Sequence, residues 1–299
     1  MTSPFTQPEI KELLFNVLMQ DLEEEKIYRI RDLEKRIRAE QNRTILLKSM
    51  GVVSAITGSR KVKWSQGFLG HANQLKHGWN PANWTADEIG RAILLVTWAE
   101  SDPKFVSGLK LYFSTASLEE ITSILKILPL LPQPEKFRQE AALGVRSNMK
   151  TVFESIALDN PFPAEYFDID AWNQMVLKAL FIGSPLYRIY GLDERANTKL
   201  SVMFRDFAHE KWAAGRKVCP EMWRIITPFI KKENIKDLNK IFEYGTDTEK
   251  LAVILTCFNS SLPELKSLVS QFRNLEEEII SGNITWDMIG KRWEESQKA

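Results

Sequence analysis

The amino-acid sequence predicts an all-α fold. Apolar residues recur at helical spacing from one end of the chain to the other, and neither strand alternation nor Asn-Gly or Asp-Gly hairpin turns occur. Four capping boxes, each a Ser or Thr followed three residues later by Glu, mark helix starts at Thr85, Ser117, Thr246 and Ser261. Glycine and proline divide the chain irregularly into about 11–13 helices. We therefore expect a single irregular multi-helix domain over residues 1–299, with repeat-like helix pairs toward the C-terminus.

The N-terminal part, residues 1–60, is rich in charge, and residues 21–43 predict one long helix. Its narrow apolar stripe is formed by Ile27, Ile30, Leu33 and Ile37. We expect a surface helix packed on its own domain, with a partner helix as the alternative. Residues 128–135 are too rich in proline for a helix and too apolar for an exposed linker, so they predict a packed crossing segment, a candidate seam between two halves.

Composition limits the classes of function. The 299 residues include 44% hydrophobic residues, and 40 basic residues face 39 acidic ones for a net charge of +1. This balance argues against nucleic acid as a partner. The two cysteines, Cys219 and Cys257, lie far apart and indicate neither a disulfide framework nor zinc. The N-terminal residues do not resemble a secretory signal, and no apolar run spans a bilayer, so we expect a cytoplasmic protein that is not integral to a membrane.

Polar residues among apolar neighbours single out the stretch from Arg146 to Arg216. If residues 140–158 form one helix, Arg146 falls inside its apolar arc, next to Asn148 in the chain. A guanidinium in that position needs a carboxylate, a cluster of carbonyl groups or an anionic ligand. Burying polar groups without partners costs several kcal/mol, so the stretch predicts either an internal hydrogen-bonded network or a ligand site.

The next helix, residues 170–182, is apolar almost all round and is expected to be central. Asn173 projects in an apolar direction, while Gln174 and Lys178 share a narrow polar strip. Desolvation would lower the pKa of a lysine on a central helix and suit it to proton transfer; the alternative is that it pairs with an acid.

The following helix is expected to begin at Asp193 as its N-cap. Along it Asn197, Ser201, Arg205 and His209 recur every four residues beside an apolar face. Such a stripe either lines a groove or makes contacts on an exposed flank. His209-Glu210 does not belong to an HExxH zinc motif, because position 213 is Ala.

No nucleotide-binding, metal or nucleophile motif is present in the sequence, so we expect no cofactor and no metal and assign no catalytic residue. The candidate ligand-binding residues are Arg146, Asn148, Asn173, Gln174, Lys178, Arg195, Asn197, Arg205 and His209.

Several motifs together resemble the EboA family. They are LPLLPxPE at 128–135, RxNM at 146–149, VFExIALxNP at 152–161, AWNQMVLKALF at 171–181, GLDxRxN at 191–197 and HExWAAGR at 209–216, preceded by GWNPxxW at 78–84. The resemblance is densest over residues 78–230, and residues 231–299 form a helical C-terminal part.

The resemblance implies a role in a bacterial gene cluster, the ebo cluster, that is associated with traffic of secondary metabolites toward the cell envelope. Its neighbours include a UbiA-like membrane prenyltransferase, which is a candidate protein partner. The family brings no established reaction. We therefore expect a non-catalytic protein that binds a small-molecule metabolite or docks on a partner. The alternatives are an enzyme acting on an anionic or aromatic, prenyl-derived metabolite through Arg146, Asn173, Lys178, Arg195, Arg205 and His209, or a purely structural polar network.

Overall fold

Side-chain caps define where the helices begin. The computed structural model describes residues 6–269 and 273–298, and these ranges contain eighteen α-helices and no β-strand, which confirms the all-α prediction. The capping boxes at Thr85, Ser117 and Thr246 form as predicted. At the fourth box a helix also begins, at Pro263, one residue later than a cap at Ser261 predicts. Proline suits the first helical position, since its missing N–H has no helical partner there.

The described residues fall into two compact units that meet in the sequence between Phe167 and Asp168. The single domain expected from the sequence stays a prediction. The first unit contains α1 (Gln7–Met19), α2 (Glu24–Glu40), α3 (Arg43–Thr57), α4 (Gln66–Leu75), α5 (Ala86–Ser101), α6 (Phe105–Phe113), α7 (Leu118–Ile127), α8 (Arg138–Arg146), α9 (Lys150–Ala157) and α10 (Phe162–Tyr166).

Helix α5 is the central helix of the first unit. It packs against α1, α2, α3 and α7, and nearly every side chain from Ala86 to Trp98 is buried. A helix that is apolar all round must be surrounded by other elements. Gly90 permits the closest approach, because a Cβ there would lie 2.7 Å from Cγ1 of Val53 on α3.

Two predictions for the first unit are confirmed. The apolar stripe of α2 is buried against its own unit. Residues 128–135 pack as two short 3-10 turns, Leu128–Leu130 and Pro134–Phe137, with Leu128, Leu130 and Leu131 buried. They lie inside the first unit, and the chain passes from one unit to the other at Phe167 and Asp168 instead.

The second unit contains α11 (Ile169–Ile182), α12 (Thr198–Ala213), α13 (Met222–Ile226), α14 (Ile235–Tyr244), α15 (Asp247–Asn259), α16 (Pro263–Val269), α17 (Arg273–Ile280) and α18 (Trp286–Ser296). Helix α15 is its hub, since α13, α14, α16 and α18 all pack against it.

The predicted number of helices is too low. Short elements such as α10 and α13, of five residues each, leave no helical period to detect. The prediction that residues 170–182 form a central helix is also wrong: Phe181, on the outer side of α11, is 65% exposed.

None of the helices within residues 6–269 and 273–298 has the length and apolar character needed to cross a membrane.

Candidate functional site

The helix predicted over residues 140–158 is two helices. α8 ends at Arg146, and Ser147 adopts an extended conformation, with its hydroxyl accepting a hydrogen bond from the Met149 N–H at 3.1 Å. Serine side chains compete with the helix for backbone groups in this way. The break changes the rotational phase of the chain, so the predicted burial of Arg146 is wrong: both Arg146 and Asn148 are exposed.

Asn173 and Asn197 form a reciprocal amide pair. Asn173 is 1% exposed; its Nδ2 donates to Oδ1 of Asn197 at 3.2 Å, and Nδ2 of Asn197 donates to Oδ1 of Asn173 at 2.8 Å. Asn197 Oδ1 also caps α12 by accepting the Leu200 N–H at 3.0 Å. The sequence predicted Asp193 as the N-cap of this helix, and that prediction is wrong. The pair ties α11 to the start of α12.

The other candidates on α11 and before α12 lie near the surface. Gln174 is exposed, and Lys178 and Arg195 are half-buried. Burial lowers the pKa of the Lys178 ammonium, in the direction expected. The Arg195 guanidinium lies over the Trp172 ring, 4.6 Å from its centroid. Burial lowers the pKa of Arg195, while the charge of Asp168 raises it.

Two side chains of the polar stripe on α12 are paired with acidic residues. Arg205 pairs with Glu233, and Nε2 of His209 lies 2.8 Å from Oδ2 of Asp237 on α14. Ser201 is buried on the same helix. The stripe therefore holds α12 to the segment that follows Lys231, and none of the nine candidate residues lines a pocket that lies elsewhere in this unit.

That pocket has a volume of about 240 Å³ and lies wholly within the second unit. It is bounded by the end of α11, the second half of α12, residues 216–221 and α18. We call it the Glu221 pocket. The lining residues that carry the argument below are Phe181, Phe207, Lys211, Cys219, Glu221 and Trp293.

One wall is aromatic. The rings of Phe181 and Phe207 meet edge to face, with centroids 6.3 Å apart. The Lys211 ammonium lies over both rings, 5.2 Å from the Phe181 centroid and 5.1 Å from that of Phe207. This arrangement explains the exposure of Phe181, whose side chain faces the pocket and its cation instead of a protein core. Trp293 of α18 adds a third aromatic lining residue.

The cationic edge of the pocket follows from the end of α12. Gly215 adopts a positive φ of 68°, which lets the chain reverse after the helix while the Arg216 N–H donates to the Lys211 carbonyl at 2.9 Å. The turn places Arg216 and Lys217, both exposed, among the lining residues beside Lys211.

Glu221 is the most unusual lining residue. It is 1% exposed, and its Oε1 has no hydrogen-bond partner among the described residues. Arg224 Nη1 lies 3.9 Å from this oxygen, but the guanidinium forms closer contacts with Asp193, at 2.6 Å, and with Asp287, at 2.9 Å.

Burial raises the pKa of Glu221 to about 8, although Arg224 and the backbone of Tyr187 and Leu186 act in the opposite direction. At neutral pH the carboxyl group is therefore largely protonated and can donate a hydrogen bond.

The Cys219 thiol is no nucleophile in this setting. Burial and the nearby Glu221 raise its pKa well above the ordinary value, so the thiolate is disfavoured. Glu294, the other acid of the lining, accepts from the Tyr187 hydroxyl at 2.8 Å and from Lys298 at 2.7 Å, and Lys298 lowers its pKa. Within residues 6–269 and 273–298, no cluster of three or more His, Cys, Asp and Glu is placed to hold a metal ion.

The stretch from Arg146 to Arg216 that the sequence singled out includes part of this lining, but none of the nine candidate residues belongs to it. The one local signal is Glu221 within the apolar run Val218-Cys-Pro-Glu-Met-Trp223. The contribution of α18 has no local signal, since it depends on which helix packs there.

The family comparison agrees with the resemblance seen in the sequence. A family model described as "Metabolite traffic protein EboA" matches residues 10–227, which is well over half of the chain and extends beyond residues 78–230 toward the N-terminus. The match includes the pocket residues from α11 to Glu221 and ends before α18. No curated protein and no solved structure matches. The chain therefore belongs to the EboA family of metabolite traffic proteins.

Proposed function

We propose that this chain binds a small metabolite without transforming it, and that the Glu221 pocket holds the ligand. The observation that carries the proposal is a buried carboxyl group with an unpartnered oxygen in a pocket that has aromatic walls. Such an oxygen loses its hydrogen bonds to water on burial, at a cost of about 1–3 kcal/mol, unless a ligand supplies a partner. A few polar groups among apolar walls are typical of small-molecule sites.

The size of the pocket supports a small ligand. Its volume of about 240 Å³ lies just below the range of roughly 300–1,000 Å³ for sites that hold drug-sized molecules. A metabolite with one or two rings is the class that fits.

Binding is favoured over catalysis by the positions of the polar residues. The residues that an enzyme would use, among them Asn173, Arg205 and His209, are hydrogen-bonded to other protein groups and do not line the pocket. Within the pocket, the pKa shift of Cys219 disfavours a nucleophile. We assign the Asn173–Asn197 pair and the polar stripe of α12 a structural role.

The finer physiological role rests on family membership. We propose that the ligand is a secondary-metabolite precursor moving toward the envelope and that a membrane protein of the same gene cluster, such as the prenyltransferase, receives it. The cytoplasmic location expected from the sequence stays a prediction.

The test compares two exposed aromatic side chains of the second unit. Phe181 lines the pocket, whereas Tyr244, at the end of α14, does not. A thermal-shift screen with aromatic metabolites, followed by native mass spectrometry of the hits, should find ligands that raise the Tm of the wild-type protein. Phe181→Ala should abolish the shift and Tyr244→Ala should preserve it. Hits that stabilise both variants equally would place binding elsewhere, and a screen without hits would favour partner docking.

A further inference from the structure

We propose that the ligand of the Glu221 pocket is a small organic anion with an aromatic or conjugated body. Its charged group lies at Lys211, its planar body lies against Phe181, Phe207 and Trp293, and an uncharged acceptor on it takes a hydrogen bond from Glu221. This inference rests on the proposed function, since it specifies the ligand class of the same pocket.

The charges of the lining favour an anion. Lys211, Arg216 and Lys217 line the pocket, and none of them has a carboxylate within 4.0 Å in the described part of the chain. Glu294 is the ionised acid of the lining, and its charge is balanced by Lys298 at 2.7 Å. Among the described residues, the lining therefore carries an excess of positive charge that no carboxylate compensates.

Lys211 is the lining cation that we expect to contact the anionic group of the ligand. Its ammonium lies about equally far from the centroids of Phe181 and Phe207. The rings cover part of the cation but supply no anionic partner, so an anion that reaches it forms a charge-assisted hydrogen bond beside an apolar surface. Such a bond is stronger there than in open water, because the aromatic walls lower the local dielectric.

Glu221 adds a second, uncharged point of recognition. Glu221 lines the pocket, and its buried Oε1 has no hydrogen-bond partner among the described residues. A protonated carboxyl group can donate to a carbonyl, ether or hydroxyl oxygen, and it does not repel an anion held at Lys211. A carboxylate at the same place would repel it, so the two groups are compatible only while Glu221 keeps its proton.

The flat walls select the body of the ligand. The pocket is lined by three aromatic side chains, those of Phe181, Phe207 and Trp293. Aromatic side chains pack preferentially against planar rings in offset or edge-to-face geometry. An aromatic or conjugated acid satisfies the walls, the cation and the donor together.

The experiment uses three probes that share one ring system: naphthalene-2-carboxylate, naphthalene-2-carboxamide and naphthalen-2-ylmethylammonium. Their dissociation constants are measured at pH 7 by heteronuclear NMR titration of the full chain. We expect the carboxylate to bind about tenfold more tightly than the other two, the gain of one charge-assisted contact. Lys211→Met should reduce that preference to about twofold or less, since Met keeps the helix propensity and the apolar stem. Lys240→Met, on the exposed surface of α14, should leave the preference unchanged.

The results separate the two proposals. Equal affinities, a preference for the ammonium probe, or no carboxylate binding at millimolar concentration would overturn the anion class. In the first two cases, loss of binding in Phe181→Ala would still support a ligand pocket. Probe affinities that Phe181→Ala leaves unchanged would overturn the proposed function as well. A carboxylate preference that persists in Lys211→Met would refute the role of Lys211.

Discussion

Gly290 of α18 packs directly against the carboxyl group of Glu221. A Cβ at position 290 would lie 2.5 Å from both Cδ and Oε2 of Glu221, and 2.6 Å from Cδ1 of Tyr187. Helix α18 can approach the buried acid this closely only because the side chain is absent. The contact closes one side of the Glu221 pocket and contributes to the burial that keeps the acid protonated.

Gly290→Ala should therefore destabilise the protein, although alanine is the better helix former. Overpacking of a closed contact costs about 1–3 kcal/mol, which outweighs a propensity gain of about 1 kcal/mol. Urea unfolding followed by circular dichroism measures the change. The matched control is Gly51→Ala in α3, where a Cβ meets nothing within 4 Å and the protein should become more stable. Equal effects at the two positions would contradict the close contact.

The titration of Glu221 should make stability depend on pH. Its pKa rises from 4.5 to about 8 on folding, so between these values the folded state binds a proton that the unfolded state has lost. Stability should therefore fall as pH rises from about 4.5 to about 8 and then level off, a loss on the order of a few kcal/mol.

Glu221→Gln should flatten this pH dependence, because the amide is uncharged in both states. The measurement is the Tm of both proteins from pH 5 to pH 9. Glu243→Gln, an exposed acid on α14, is the control and should keep the wild-type slope. A wild-type slope in Glu221→Gln would show that another group titrates; the charged neighbours of Glu221 are Arg224 and Asp287.

Truncation of Asn173 should destabilise the protein much more than truncation of Arg146. Asn173→Ala removes a buried partner of Asn197 and should cost about 1–3 kcal/mol. Arg146→Ala changes an exposed side chain at the end of α8 and should stay within about 0.5 kcal/mol. Chemical denaturation measures both. A large cost for Arg146→Ala would support the buried position that the helical wheel predicted for this side chain.

His209 and Asp237 should couple weakly and leave ligand binding unaffected. The imidazole is half-exposed, so a double-mutant cycle with Ala at both positions should give a coupling of about 0.2–1 kcal/mol in unfolding free energy. Naphthalene-2-carboxylate should bind both single variants as it binds the wild-type protein. Loss of probe binding in His209→Ala would place the ligand on the α12 stripe instead of in the Glu221 pocket.

Local patterns predicted much of the fold. The boxes at Thr85, Ser117 and Thr246 mark helix starts because each cap is made by residues three apart in the chain. The stripe of α2 was equally readable. The wheel failed for Arg146, because one serine that caps the next turn resets the helical phase. Extrapolation across such a break assigns a direction that the side chain does not have.

The sequence by itself determined the helical class, the helix starts at the capping boxes, the burial of Asn173 and the family. These properties depend on residues within one or two helical turns, or on motifs that are contiguous in the chain. Only the tertiary structure decided where the site lies, because Phe181, Lys211, Glu221 and Gly290 come from four separate segments. The protonation of Glu221 depends on desolvation by residues as distant in the chain as α18, and no local pattern encodes that burial.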